Sequence, residues 1–329
     1  MNVVCICMSP ALDATVTLKA WPKDGDVVKD VAEVENVGGK ALNVARWIGI
    51  RRASLVPPAA HSLGPASPSG STLGPADVTV ACGGLLGVDN AAPFERELAR
   101  YGVADRFLRV PGATRRNEMI VTPEGCFKLN RKAFPGLASA DFAFDVGALG
   151  VGPGDVAVLS GSLPPCCPAT FYADCTRALK ALGATVVLDA SGAPLRAAVF
   201  SADADTRPDV IKPNAEECEP LVGFVPRTPD DFRRATEILR AQVAHVIISD
   251  GGSGCWFDGA FTPAPRVDVL DTTAAGDTLL AEWCWRTYAA PDPDAARWAV
   301  AAGSAACTMP GGDPPAPDLV EKLKGSESK

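Results

Sequence analysis

The sequence predicts an α/β fold: a mostly parallel central sheet with a small second sheet beside it. Three observations predict it. Short apolar, β-branched runs alternate with segments of helical period. Most of those runs end in small or polar residues. Two stretches break the pattern and alternate between turns, as antiparallel strands do. Near-continuous apolar strands separated by helices form a sheet covered on both faces, and such sheets bind ligands beyond the carboxyl ends of their strands.

In chain order, "VVCIC" at 3–7 reads as a buried first strand. No basic stretch precedes it, so it does not read as a signal peptide. Residues 15–39 alternate and supply the first half of the small sheet. "VGGKALNVAR" at 37–46 opens a helix behind two glycines. Residues 51–77 are rich in Pro, Gly, Ser and Ala and read as a flexible surface insertion. Residues 106–134 supply the second half of the small sheet. Strands follow at 156–161, 185–191, 209–214 and 245–252, with helices at 171–183, 230–243 and 278–290. The tail, 321–329, is expected to fray.

Composition narrows the partners. The 329 residues carry a net charge of −8, which argues against nucleic acid or an anionic membrane. A phosphorylated substrate stays possible, because local Arg and Lys can outweigh the global sign. No apolar run is long enough to cross a bilayer. The 11 Cys are odd in number and scattered, which suits small core residues in a reducing cytosol, so a cytoplasmic protein is expected. His61 and His245 have no partners at metal-ligand spacing.

Five stretches at strand ends could carry chemistry. In "DTTAAGD" (271–277), Ala274, Ala275 and Gly276 leave backbone amides open at a helix start, a natural anion site. Asp277 is then either a helix cap or a base beside the anion. Gly38 and Gly39 would let the backbone approach a ligand, with Lys40 and Asn43 pointing to it. "LSGSLPP" (159–165) presents Ser162 before a Pro-marked turn. In "IKPNAEE" (211–217), Asn214 and Glu217 are at helical spacing, either a cap with a first-turn acid or outer support for Mg²⁺. "SDGGSG" (249–254) offers Gly-rich backbone, or a hairpin turn.

Together, in this order, these stretches resemble the ribokinase-like (PfkB) carbohydrate kinases over nearly the full chain. "SPALD" near the start, "TRRN" (114–117) and "AVAAGSAACTMPGG" (299–312) add to the match. The set "GGKALNVAR", "TRRN" and "SGSLPP" is most similar to the hexose-phosphate branch, which includes 1-phosphofructokinase and tagatose-6-phosphate kinase. The resemblance implies one domain over 1–329, a three-layer sandwich with a β-clasp lid at about 13–38 and 106–134. It implies transfer of the γ-phosphoryl of ATP to a hydroxyl of a sugar phosphate, with Mg²⁺ and a K⁺ requirement left open. It makes Asp277 the base, with Ala274, Ala275 and Gly276 forming the anion hole. Asp13, Gly38, Gly39, Asn43 and Ser162 would contact the sugar. Arg115 would hold its phosphate, with Lys40 or Arg131 helping. Lys212, Asn214, Glu217 and the turn with Ser249, Gly251 and Gly254 would serve MgATP, Glu217 holding the metal through water. Ala302 to Gly311 would flank the adenine. Apolar lid strands suggest a homodimer through the lid.

Two positions depart from the family pattern: Ala274 stands where Gly is usual, and Ser9 where Asn is usual. On the lid strand "FKLNRKAF", Lys128, Asn130 and Lys132 share one face and Arg131 takes the other. Two other functions fit less well: a kinase of an unphosphorylated sugar or nucleoside, and a catalytically idle sugar-phosphate binder.

Overall fold

The computed structural model describes residues 1–29, 31–54 and 77–326. Most of the expected insertion, 55–76, lies outside them. In chain order the elements begin with β1 (Asn2–Cys7), β2 (Ala11–Thr17), β3 (Ala32–Gly38), α1 (Lys40–Ser54), β4 (Thr79–Gly87), α2 (Ala92–Arg100) and β5 (Ala104–Val110). Next come β6 (Arg116–Thr122), β7 (Gly125–Leu129), β8 (Val156–Ser160), α3 (Phe171–Ala181), β9 (Thr185–Asp189), α4 (Gly192–Val199) and β10 (Val210–Ile211). The chain ends with α5 (Ala215–Val222), α6 (Pro229–Arg240), β11 (His245–Asp250), β12 (Gly254–Phe257), β13 (Ala260–Pro263), α7 (Ala275–Cys284), α8 (Ala295–Ala306) and α9 (Pro317–Gly325).

The large sheet has nine strands in the order β13-β12-β11-β10-β9-β8-β1-β4-β5. From β11 to β5 every neighbouring pair is parallel, and β12 and β13 close one edge as an antiparallel hairpin. Side chains alternate across it. Val3, Cys5 and Cys7 face a core with Trp47, Ile48, Leu280 and Trp285, whereas Val4, Ile6 and Met8 face one with Tyr172, Leu179 and Phe232. Helices therefore cover both faces, giving three layers. The chain runs outward from β1 in both directions. Ligands in such sheets sit at that reversal, beyond the strands' carboxyl ends.

A buried ion network fixes two helices that carry the site. The Glu282 carboxylate on α7 accepts from Arg51 Nε, Arg51 Nη2 and Trp47 Nε1 on α1 at 2.7 Å, and from Arg286 Nε at 2.9 Å. All the lone pairs of a fully buried acid are engaged, so α1 and α7 are locked together.

The small sheet runs β3-β2-β6-β7, with β2 parallel to β6 and the outer pairs antiparallel. Its second half starts at Arg116, later than the 106 expected from the sequence. Residues 104–110 instead pair with β4 in the large sheet, because Phe107 and Val110 are apolar and find the core there. The tail is helical through Gly325 where fraying from 321 was expected. Val320 is buried, and Lys324 pairs with Asp294 at 2.8 Å. The helix expected at 278–290 begins earlier, at Ala275, and ends in a π turn over Trp285–Ala289. Among the described residues no helix is long and apolar enough to cross a membrane.

Candidate active site

β13 ends at Pro263, and residues 264–274, without strand structure, lead from it into α7, whose first residues are Ala275 and Gly276. Asp271 Oδ1 accepts from the Thr273 amide and hydroxyl, and Asp271 Oδ2 accepts from the Gly311 amide at 3.0 Å. The residue before α7 is Ala274, in the left-handed region at φ +62° and with no side-chain cap. Ala275 N–H donates to Thr272 O, and the Gly276 and Asp277 amides meet no acceptor among the described residues. Open amides at a helix start are an anion receptor. Asp277 is in the first turn of α7 but does not cap it. Its Oδ2 accepts from Asn43 Nδ2 at 2.7 Å, across on α1.

Beneath the turn lies a second carboxylate, Asp189, at the end of β9. Lys40 Nζ donates to its Oδ1 at 3.1 Å, and Lys212 Nζ stands 3.3 Å from its Oδ2 as an ion pair without hydrogen-bond geometry. Lys212 also reaches the anion receptor: a Cβ built on Gly276 would lie 3.4 Å from its Nζ. Burial opposes the ionised Asp189, but Lys212 and then Lys40 overcome it and its pKa is lowered. Burial opposes the Lys40 charge too, and Asp189, Asp277 and Glu217 outweigh that, so its pKa is raised. Asp277 goes the other way. Burial first, then the charge of Asp189, raise its pKa against the pull of Lys40, Asn43 and Lys212.

Two cavities meet at this turn. One, of about 800 Å³, is lined by Ser249, Gly251 and Gly254, by Thr272, Ala275 and Gly276, and by Val300, Gly303, Ser304 and Cys307. Residues 300, 303, 304 and 307 form one face of α8. Ala302 is on its other side, fully buried, so Ala302 does not flank this cavity as the sequence suggested. The other cavity, about 230 Å³, lies under the small sheet, lined by Asp13, Thr15, Asn117, Lys128, Asn130, Thr273 and Gly311. Gly311, expected beside adenine, is therefore on this second side.

The register of the small sheet decides which lid residues face in. Asp13 pairs with Asn117, Thr15 with Met119, and Met119 with Lys128, so these share the inner face. Asn117 Nδ2 donates to Asp13 Oδ1 at 2.8 Å, while a Cβ on Gly38 would overlap Asp13 Oδ2. Only glycine at 38 lets that carboxylate lie against the backbone. Arg131 lies on the outer side, paired with Glu118 at 3.0 Å in a cluster where Arg116 also holds Glu33 and Glu35. Arg115 donates to the carbonyls of Ser9, Pro10 and Arg131, tying the lid to its root, and lines neither cavity. Burial lowers its pKa despite the charge of Asp13. Ser162 is exposed on the loop after β8, one residue past Gly161, which packs near Lys40 Cβ. Gly39, at φ +138°, packs against Cys7 and lines neither cavity.

Asn214 and Glu217 form a reciprocal cap on α5, with both hydrogen bonds at 2.8–2.9 Å. The charge of Glu217 still reaches Lys40. Among the described residues no three His, Cys, Asp or Glu cluster as a metal cage, and every described cysteine is free.

The sequence reading missed Asp189, Asn117, Thr273 and Arg46, and left Lys128 without a role. Asp189 had a readable sign: a carboxylate at the end of the apolar run "TVVLD", buried at the strand end where ligands bind.

A family model described as pfkB family carbohydrate kinase matches residues 8–319. The chain belongs to this family. It is a kinase that passes a phosphoryl group from ATP to a sugar hydroxyl. Among curated relatives, the 1-phosphofructokinase of Rhodobacter capsulatus is 31% identical over 294 residues, covering 85% of this chain and 82% of that one. The 1-phosphofructokinase of Vibrio cholerae is 31% identical over 293 residues, 86% and 82% of the two chains. In structure, phosphofructokinase-2 from Escherichia coli, solved with substrates and products, superposes with a TM-score of 0.78 at 22% identity over 98% of each chain. This pfkB kinase thus has the three-layer fold with a small second sheet that its motifs implied, although the central β2–β6 pair of that sheet is parallel.

Proposed function

We propose that this kinase phosphorylates a hexose that already carries a phosphate, yielding a sugar bisphosphate, with 1-phosphofructokinase activity as the leading assignment. The two 1-phosphofructokinase relatives support the substrate class. The observation that carries the chemistry is the junction of two cavities at one turn of open amides, with a buried, proton-seeking carboxylate beside it.

In this reading ATP occupies the larger cavity, its γ-phosphoryl at the open amides of Gly276 and Asp277 and near Lys212. The sugar lies in the smaller one, oriented by Asp13, Asn117 and Asn43. Asp277 takes the proton of the attacking hydroxyl as the new P–O bond forms and the bond to ADP breaks. Phosphoryl transfer needs alignment and charge neutralisation more than covalent help, and these groups supply both. Mg²⁺, when bound, neutralises phosphate oxygens. With no cluster of three His, Cys, Asp or Glu among the described residues, Glu217 would hold a cation that keeps its waters.

The substrate's phosphate falls to Lys128, whose ammonium is on the inner face of the lid. Arg115, already committed to three carbonyls, holds the lid root instead, and Arg131 braces its outer face. Exposed Phe127 and Leu129 on that outer face favour pairing of two lids in a homodimer, checked by light scattering.

ADP release is measured with fructose 1-phosphate, fructose 6-phosphate, tagatose 6-phosphate and free fructose, with and without K⁺. Turnover with a phosphorylated hexose and none with fructose is expected. Lys128→Ala then raises KM for the sugar phosphate by about 10-fold to 100-fold, equivalent to about 1.4–2.8 kcal/mol, leaving KM for ATP near wild type. Failure of all three sugar phosphates sinks the substrate claim. An unchanged KM in Lys128→Ala sinks the assignment of its phosphate.

A further inference from the structure

We infer that Arg46 is a positioning residue that fixes both the base and the anion-receiving turn, by holding the Asn43 amide in one orientation and the 311–312 loop in one place. Arg46 is buried on α1, one turn beyond Asn43. Its guanidinium makes three directed contacts. Nη1 donates to Glu97 Oε1 on α2 at 2.8 Å. Nη2 donates to Asn43 Oδ1 at 2.6 Å and to Gly312 O at 3.1 Å.

The Asn43 contact decides chemistry. An amide has a donor end and an acceptor end, and which faces Asp277 is not fixed by shape. If Oδ1 faced the carboxylate, two acceptors would meet in a buried site. With Arg46 taking Oδ1, Nδ2 must face Asp277, where it donates at 2.7 Å. That leaves the other oxygen of Asp277 for the acceptor hydroxyl. The charged groups acting on Asp277 are Lys40 from α1, Asp189 from the end of β9 and Lys212 from the end of β10. Asn43 opposes the proton-seeking tendency that burial and Asp189 create, so losing its orientation makes Asp277 a poorer base near neutrality.

The Gly312 contact acts on the turn. A Cβ on Gly312 would lie 3.0 Å from Thr273 Cγ2 and 3.5 Å from Ala274 Cβ, and the neighbouring Gly311 amide holds Asp271. The 311–312 loop is thus the back wall of the segment that presents the amides. Arg46 spans base and receptor with one planar group. Among the described residues its buried Nε has no acceptor, a cost that an apolar residue of similar size would not carry. Packing alone does not explain this side chain.

This inference rests on Asp277 being the base, and the experiment separates the two. Arg46→Gln, Asn43→Ala, the double variant and Asp277→Asn are assayed with ATP and fructose 1-phosphate, with kcat/KM followed over pH 5 to 9. Arg46→Gln is expected to lower kcat by about 10-fold to 100-fold with little change in KM, a scale typical of misplaced reacting groups. Its acid limb should move to higher pH. On the Asn43→Ala background the same change should cost only a few-fold more, because the path through Asn43 is already cut. Guanidinium ion added to Arg46→Ala should restore part of kcat. If Arg46→Gln does not fold, Arg46→Lys replaces it: it keeps the charge toward Glu97 but cannot reach both Asn43 and Gly312, and should show the same limb shift. An unmoved acid limb, or a full multiplicative loss in the double variant, overturns the role of Arg46. Turnover retained by Asp277→Asn overturns the base instead.

Discussion

Asp189 and Asp277 are both buried carboxylates near Lys40 and Lys212, yet their proton affinities move in opposite directions. The difference is in what touches them. Asp189 sits between two ammonium groups at 3.1 and 3.3 Å. Asp277 touches a neutral amide and feels the negative charge of Asp189. The fold spends one carboxylate to collect positive charge at the anion receptor and leaves the other short of it. A short-changed carboxylate takes up a proton more readily, as a general base requires.

The largest effects come from neutralising each acid in turn. Asp277→Asn should cut kcat by about 10²- to 10⁴-fold, the usual range for a lost general base. It should also raise thermal stability at neutral pH. A carboxylate whose folded pKa lies above its unfolded value favours the fold only where it is protonated, so at pH 7 its ionised form is a burden. Asp189→Asn should do the reverse to the fold. It leaves the buried Lys212 ammonium without its partner and costs about 3–5 kcal/mol of stability, read by chemical denaturation. Because the folded pKa of Asp189 is lowered, its stabilisation is present above the ordinary carboxylate range and is lost as pH falls through the folded value. The wild type should therefore lose stability more steeply than Asp189→Asn on acidification below about pH 4. Equal stability changes in the two variants would erase the contrast.

Much of this was readable from the chain, and the misses have a common cause. The strand ends, the Gly-Gly-Lys helix and the 271–277 turn are local patterns, so spacing revealed them. Strand alternation put Lys128 and Arg131 on opposite faces without saying which face looks in, and Arg131, expected to help hold the phosphate, is on the outer one. What failed depended on distant pairing. Arg115 looked like a free phosphate fork until three carbonyls from two other segments came to meet it. Residues 106–110 looked like lid until β4 paired with them. Ala302 and Gly311 were placed beside adenine by the span of a motif, and the helical phase of α8 and the fold of its following loop moved both away. Arg46 was inside a quoted motif and still unweighted, because two of its three partners lie 51 and 266 residues on.

A middle-sized effect sharpens the contrast. Lys40 pulls on both acids, but Asp189 keeps Lys212, its stronger partner. Lys40→Gln should therefore leave the low-pH stability profile close to wild type while moving the acid limb of kcat/KM upward, with about a tenfold loss of activity at pH 6. If stability suffers as much as activity, Lys40 is mainly a structural counter-ion of Asp189.

The smallest effect concerns the turn between the two acids. Ala274 holds φ +62°, a region where a Cβ costs roughly 1–2 kcal/mol. The surroundings impose that geometry: Ala274 O accepts from both the Thr278 amide and hydroxyl at 2.9 Å, and Ala275 N–H closes back on Thr272 O. Glycine would relieve the strain but add freedom to the unfolded chain, which takes back about 0.4–1 kcal/mol. Ala274→Gly should thus stabilise by no more than about 1 kcal/mol. The open amides of Gly276 and Asp277 are held by α7 itself, which Glu282 locks to α1, so kcat and the acid limb should stay near wild type. A large gain in kcat would mean that the alanine displaces the receptor rather than merely straining it, and that the two carboxylates alone do not set the reactivity of the site.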